Sequence, residues 1–409
     1  MHCRYCRNQN LSKILDLGSS PPSNAYLTAA DLSKEEQLIP LRVLVCDQCW
    51  LVQIEDYKLP DELFNAEYAY LSSTSASWVK HAKDYCEKIS NELNLNSESM
   101  VVEIASNDGY LLTNFLEKKI PNFGVEPTAS TANISRSKGI DVIEEFFGFT
   151  LAKRLTCQKK NADLIIANNV YAHVPDINDF TSGISKLLKL NGVVTLEFPH
   201  VLNLIKFNQF DTVYHEHYSY LALYTVIKIF ESHGLRVWNV EEIDTHGGSL
   251  RVFGCLKEAS WVLKPSVELV LEKEKKYGLR KLSTYGDLQP TADRVKKELN
   301  YFLIEQRENG KKVVAFGAAA KGNTLLNFSK IDSSLIEYVC DNAILKQGKF
   351  LPGSHIPIVD PIRISNDNPD YILIFAWNIR DEIKNNINFI SKNRKFKYVS
   401  FIPNMVIDG

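Results

Sequence analysis

One short window, Tyr214-His215-Glu216-His217-Tyr218-Ser219-Tyr220, gathers imidazoles, a carboxylate and phenols within a single turn's reach. Each of these groups can donate, accept or move a proton. The window follows an apolar segment with helical spacing (201–207) and precedes another (221–233). A loop held between two helices is a suitable mount for catalytic groups, although a wet aromatic loop or a buried polar cluster would show the same composition.

Four cysteines form a second constellation. Cys3-Arg4-Tyr5-Cys6 and Cys46-Asp47-Gln48-Cys49 are two C-x-x-C pairs. Thiolates presented as two knuckles suit tetrahedral zinc, with Cys3, Cys6, Cys46 and Cys49 as ligands. Four sulfur ligands close the coordination shell, so this zinc is expected to be structural. The intervening segment is longer than in the commonest zinc ribbons, and it carries Pro21-Pro22 and a strand pattern at 41–45.

The elements that must position such groups follow an α/β rhythm. Residues 100–104 read as a buried strand, Ala105-Ser106-Asn107-Asp108-Gly109 as a turn, 110–118 as a helix and 122–125 as a second strand ending at Glu126-Pro127. Strand, turn, helix, strand and acid make half of a doubly wound sheet, with Glu126 about where an acid meets ribose hydroxyls. The turn lacks the G-x-G-x-x-G pattern for a pyrophosphate. A cofactor without phosphates fits better, and S-adenosylmethionine is the common one. Its expected contacts are Glu103, Ala105, Asn107, Gly109, Glu126 and Pro127. A third strand, 162–170, ends in Asn168 and Asn169, which together with His173 should face the cofactor crevice beyond the strand ends. A helix (177–190), a turn at Asn191-Gly192 and a strand (193–198) lead towards the 214–220 window. A Ser/Thr cluster at 72–74 reads as the cap of a long helix ending near Leu93.

Strands at 237–243 and 249–255 flank Thr245-His246-Gly247-Gly248. Residues 268–308 are charged and helical, with a break expected near Gly286 and Pro290. Residues 311–316, 337–341 and 371–375 then read as strands of a second Rossmann-like unit. Its first turn, Gly317 to Thr324, contains Lys321 and opens a helix, a reasonable phosphate site.

The chain of 409 residues is 45% hydrophobic and 23% charged with a net charge of −2, ordinary for a globular protein. That balance favours neither nucleic acid nor an anionic membrane as partner. The sequence contains no long apolar run and no signal-peptide pattern at Met1 to Cys6, so a cytoplasmic location with reduced cysteines is expected. The expected fold class is α/β in four successive parts: a zinc-binding module (1–60), a Rossmann-like S-adenosylmethionine domain (61–260), a helical bridge (261–310) and a second Rossmann-like domain (311–409).

The order of these parts resembles the nucleotide-sugar 3-C-methyltransferases. The resemblance runs over nearly the whole chain: the paired C-x-x-C, Val102 to Gly109, Asn169-Val170-Tyr171-Ala172-His173-Val174-Pro175-Asp176, Tyr214-His215-Glu216-His217, His246-Gly247-Gly248-Ser249-Leu250-Arg251, Gly317 to Thr324, and Leu351-Pro352-Gly353-Ser354-His355-Ile356-Pro357-Ile358. It implies methyl transfer from S-adenosylmethionine to a nucleotide-diphosphate sugar, dTDP-linked, with the C-terminal domain helping to hold the nucleotide. It also implies a catalytic group of Tyr214, Glu216, His217 and His173, with Tyr68, or Tyr70 in its place, before the middle domain. His246, Ser249, Arg251, Gly317, Lys321, Asn323 and Thr324 are the expected substrate contacts. Tyr171 departs from the pattern, which more often has an aliphatic residue there.

Methylating carbon requires a carbanion, which a 4-keto sugar offers at C3 once a base removes the proton there and the enolate oxygen is held. His217 is the expected base, because an imidazole titrates near neutrality. Glu216 would orient an imidazole or a sugar hydroxyl, and Tyr214, Tyr68 and His173 would serve the enolate. O- or N-methylation of a sugar, a hydrolytic metal bound by His215, Glu216 and His217, and a non-catalytic sugar-binding scaffold are the competing readings.

Overall fold

A computed structural model describes residues 1–55, 71–392 and 394–408. The chain forms two compact units, and neither is continuous in sequence. The first comprises Met1–Leu11, Val45–Leu202 and Tyr218–Arg280; the second comprises Ser12–Leu44, Asn203–His217 and Lys281–Gly409. This differs from the expected four successive parts. The segment between the two cysteine pairs and the 214–217 window both belong with the C-terminal residues, a long-range association that local sequence patterns do not encode.

The first unit is built on a seven-stranded sheet in the order Leu235–Ile243, Ser249–Leu256, Leu188–Pro199, Ala162–Asn168, Val101–Ile104, Asn122–Val125, Val142–Ile143. The five strands from Leu188–Pro199 onward run parallel, and the two at the other end pair antiparallel as a hairpin. Val101–Ile104 is buried throughout and Ala162–Asn168 nearly so, as strands covered on both faces must be. Helices Ala76–Glu92, Ile177–Leu187 and Leu223–Ser232 each bury one face. Ser75 caps the first by accepting from the Trp78 amide, one residue beyond the expected Ser/Thr cluster at 72–74, which forms a 3-10 turn of its own. One core layer contains Ile104, Ile165, Phe180 and Phe230; the other contains Tyr85, Phe115, Ile166 and Trp238.

Tyr171, the departure from the family pattern, lies in the first of these layers. It is fully buried, packs against Phe180 and Phe230, and its hydroxyl meets Thr181 Oγ1 at 2.6 Å. The position serves packing.

The second unit has a six-stranded sheet in the order Ile358–Val359, Val339–Cys340, Val313–Phe316, Tyr371–Ile374, Lys397–Ser400, Val406–Asp408. Its first five strands are parallel. Gly317, at φ 93°, turns the chain from Val313–Phe316 into helix Ala320–Ser329. The helical bridge breaks at Gly278, whose φ of 91° ends helix Pro265–Tyr277. The interruption runs to Leu288 and so includes Gly286, as expected, whereas Pro290 lies in the first turn of helix Leu288–Glu308, where its missing N–H leaves no intrahelical bond unmade.

Candidate active site

In the first unit, Cys3, Cys6, Cys46 and Cys49 bring their sulfurs within 4.8 Å of one another. The Cys3–Cys49 and Cys6–Cys46 sulfurs are 3.5 Å apart. Sulfurs placed tetrahedrally at about 2.3 Å from zinc would be separated by roughly 3.8 Å, so the cluster fits the metal with a small relaxation. Among the described residues it is the one grouping of side chains with metal-ligand spacing. His215, which the metal-hydrolase reading would need as a ligand, is buried with Nε2 at 3.2 Å from the Ile39 carbonyl.

The expected donor site in the first unit is the turn after Val101–Ile104. Ala105 and Asn107 adopt φ of 54° and 48°, and Gly109 adopts 75°. A Cβ on Gly109 would come within 2.6 Å of Ile140 Cδ1 and Ser135 Oγ. Glu126 folds back under the turn: Oε2 accepts from the Asn107 amide and Oε1 from the Thr128 amide, each at 2.9 Å. Burial raises the Glu126 carboxyl, partly offset by those amides. Glu103 is buried and held well above the usual carboxylate range by burial and by the charges of Asp108 and Glu126. Glu103 Oε2 and Asp108 Oδ1 have no hydrogen-bond partner among the described residues, and neither do Asn168 Oδ1 and Asn169 Nδ2. Unmet buried polar groups are costly, and these are the donors and acceptors a polar cofactor would satisfy. Pro127 follows Glu126 directly, and His173 closes a short turn by donating its amide to the Val170 carbonyl at 2.7 Å.

At the hairpin end of the same rim, Arg251 is directly opposite Glu197 in the antiparallel pairing. Arg251 Nε donates to Glu197 Oε1 at 2.6 Å, Nη2 also pairs with Glu197, and Nη1 reaches Glu241 at 3.3 Å. Its guanidinium lies 4.6 Å from the Tyr85 ring centre. In this structure Arg251 pairs with a fully buried carboxylate. His81 Nε2 donates to the other oxygen of Glu197 at 2.9 Å and stacks on Trp78. Trp78 also meets His246, whose φ is 53°, and Ser249 donates to the Thr245 carbonyl at 2.9 Å. Glu197, His81 and Trp78 carry no local motif; only the strand register reveals them.

The second unit holds the rest. Tyr214 Oη and His217 Nε2 are 2.6 Å apart, and His217 Nδ1 lies 2.9 Å from the Thr212 carbonyl. A carbonyl can only accept, so Nδ1 carries the proton and Nε2 takes the Tyr214 hydrogen bond. Glu216 is buried, and both its oxygens accept from Asn24 Nδ2, at 2.8 and 2.9 Å. Burial pushes its carboxyl up to about 7 against that hydrogen bond. Tyr68 and Tyr70 lie outside the described residues.

Lys321, at the first turn of helix Ala320–Ser329, donates to Asn378 Oδ1 at 2.8 Å and lies 4.4 Å over the Trp377 ring. Trp377 Nε1 donates to Asp211 Oδ2 at 2.7 Å. Burial lowers Lys321 to about 8 against the Asp211 charge, and raises Asp211 to about 6 against the Lys321 charge and the Trp377 donor. Asn323 and Thr324 are buried and bind the backbone carbonyls of Ser23 and Val213 at 2.7 and 2.8 Å. Their side chains fasten the turn.

A parallel sheet with ligand groups beyond its strand ends, a polar crevice without a phosphate loop and a four-cysteine cluster define an S-adenosylmethionine-dependent methyltransferase carrying a zinc module. Comparison with known proteins agrees. A family model for the C-methyltransferase C-terminal domain matches residues 244–403, one for a methyltransferase domain residues 78–240, and one described as a candidate zinc binding domain residues 3–64. C-methyltransferase NovU of Streptomyces niveus is 34% identical over 384 residues, covering 94% of this chain and 91% of that protein. The chain belongs to this C-methyltransferase family. Solved structures similar to part of it include an S-adenosylmethionine-dependent methyltransferase from Clostridium acetobutylicum (13% identity, 44% of this chain, 92% of that one, TM-score 0.35) and YcgJ from Bacillus (12%, 44%, 100%, TM-score 0.35).

Proposed function

We propose that the enzyme methylates C3 of a nucleotide-diphosphate-linked 4-keto-deoxysugar, giving a branched sugar. The observation that carries this reading is the Tyr214–His217 pair. A hydrogen-bonded phenol and imidazole, with the far nitrogen fixed on a backbone carbonyl, form a base able to take a proton from carbon. The C3 proton passes to the Tyr214 oxygen as the Tyr214 proton moves to His217 Nε2, leaving an imidazolium whose Nδ1–H stays on Thr212. The expected role of His217 is thus refined: it acts through Tyr214. Glu216, near half-ionised at neutrality, can exchange a hydrogen bond with a sugar hydroxyl.

S-adenosylmethionine, when bound, supplies an electrophilic methyl. Glu103, Asp108, Asn168 and Asn169 offer it unmet polar atoms, and Glu126 holds the turn that would cradle it. Lys321 and the Gly317 turn would receive the diphosphate, Lys321 exchanging Asn378 for an anionic oxygen. The four-cysteine cluster would hold zinc as a closed structural site. Membership of a C-methyltransferase family favours carbon over oxygen or nitrogen as acceptor.

The test separates proton removal from methyl transfer. With S-adenosylhomocysteine replacing the donor, in heavy water, a 4-keto nucleotide sugar should gain deuterium at C3 without gaining a methyl. Tyr214→Phe and His217→Ala should each slow this exchange by about 10²-fold or more. Exchange that persists at the wild-type rate in both variants would remove the pair from the reaction. Methylation of a substrate reduced to the 4-hydroxyl would favour O-transfer instead.

A further inference from the structure

The segment between the cysteine pairs contributes more than metal ligands. Pro21-Pro22-Ser23-Asn24-Ala25-Tyr26 belongs to the second unit, where two side chains form a chain of hydrogen bonds ending on Glu216. Asn24 Nδ2 reaches both Glu216 oxygens, at 2.8 and 2.9 Å. Tyr26 Oη lies 3.1 Å from Asn24 Oδ1 and donates to the Ala318 carbonyl at 2.6 Å. Lys346 Nζ donates to the same carbonyl at 2.9 Å, sits 5.3 Å from the Tyr26 ring centre, and pairs with Asp341 at 3.4 Å.

The order of these contacts fixes a direction. An amide has one end that donates and one that accepts, and its two ends can be interchanged by a half-turn. The ionised Glu216 carboxylate only accepts, so it selects the orientation in which the Asn24 NH2 group faces it; Oδ1 is then left beside the Tyr26 hydroxyl, whose single proton is divided between Oδ1 and the Ala318 carbonyl. Tyr26 is in turn held by a carbonyl of the Gly317–Thr324 turn, which Lys346 also grips. Neither Asn24 nor Tyr26 binds zinc, and neither packs a core layer.

We propose that Asn24 and Tyr26 are positioning residues of the methyl-transfer reaction: Asn24 holds the Glu216 carboxylate in one orientation, and Tyr26 holds Asn24 and ties it to the turn at Ala318. This rests on the reading of Glu216 as part of the catalytic group. A donor facing both oxygens stabilises the ionised carboxylate, and the groups around it are consistent with that. Asn24 is the one side chain that lowers Glu216 against its burial; Tyr26, Lys346 and Asp341 lie further along the chain. The arrangement also places the Glu216 clamp and the turn bearing Lys321 on one shared carbonyl-bearing loop, so a ligand that displaces the turn would move Tyr26 with it.

The experiment compares wild type, Asn24→Ala, Asn24→Asp and Tyr26→Phe in full-length protein. Each variant is first checked for unchanged zinc content and unchanged S-adenosylmethionine affinity by calorimetry, which controls for folding. The pH dependence of methyl transfer is then measured. In Asn24→Ala the Glu216 limb should move up by about one to two pH units, the worth of a hydrogen bond to a charged group. Asn24→Asp should move it further, because a second carboxylate opposes the first. Tyr26→Phe should move it less than Asn24→Ala, because the amide keeps its bonds to Glu216 and loses only the hydroxyl beside Oδ1. A merely structural role would lower the rate at every pH and leave the limb where it is, and that result in the folded Asn24→Ala protein would overturn the proposal. Wild-type protein that fails to exchange C3 deuterium would refute the enolate reading alone; the limb shift would still be read from methyl transfer.

Discussion

Replacing Arg251 with leucine tests the buried pair at the hairpin end of the first unit. The side chains of Arg251 and Glu197 are 6% and 0% exposed, so the carboxylate left behind cannot rehydrate in place. His81 would remain as its one partner of the present pair. Breaking a buried ion pair by removing one member costs about 3–5 kcal/mol. For a cooperative unit the size of the first unit each kcal/mol lowers the melting temperature by roughly 2–4 °C, so calorimetry should record a fall of roughly 6–20 °C in that unit's transition. The deficit should depend on pH. Burial raises the Glu197 carboxyl, but the His81 hydrogen bond and the Arg251 charge outweigh it and hold it below its ordinary value. In wild type this contribution is present above the ordinary Glu pKa of about 4.3 and is lost as pH falls through the depressed value. In Arg251→Leu the carboxyl titrates higher, protonation relieves the buried charge, and the gap to wild type should narrow as pH is lowered from 7 towards 5. The double variant Arg251→Leu, Glu197→Leu should recover most of the loss. A deficit below about 1 kcal/mol that ignores pH would show that water reaches Glu197.

Metal analysis should find one zinc per chain, and removing two ligands, Cys46→Ser with Cys49→Ser, should abolish it, with activity lost through unfolding of the module. Zinc retained at full content would refute the four-cysteine site. Lys321→Ala should raise KM for the nucleotide sugar far more than for S-adenosylmethionine; equal movement of both would give the second unit another task. Gly109→Ala forces a Cβ into Ser135 and Ile140 at a positive φ, so donor affinity by calorimetry should fall at least tenfold, and an unchanged value would show the turn can shift freely.

The elements that rest on local pattern were legible in the sequence. Val101–Ile104, the Asn107 turn and Asn122–Val125 could be read from a run of apolar residues broken by polar ones, because a strand covered on both faces admits little else. The cysteine pairs carried their own spacing. The contacts of Arg251, Asn323 and Thr324 were not legible, since a polar residue in a motif has the same identity whether it faces a ligand or a neighbour. Glu197 meets Arg251 only through strand register, and Ser23 and Val213 meet Asn323 and Thr324 from far along the chain. His217 stood out in the sequence as an imidazole of the 214–220 window, but its hydrogen bond from Tyr214 and its tautomer needed the Thr212 carbonyl.

The interleaving of the two units bears on how the protein can be made. Chains emerge from the ribosome N-terminus first and fold unit by unit. The first unit has all its segments once Arg280 has emerged, whereas the second must wait for Lys281–Gly409. During that interval Ser12–Leu44 and Asn203–His217, with Asn24, Tyr26, Tyr214, Glu216 and His217 on them, lack the C-terminal residues they group with. The residues around Glu216 are therefore assembled last, and a truncation after Arg280 would leave Asn203–His217 without the C-terminal segment it groups with.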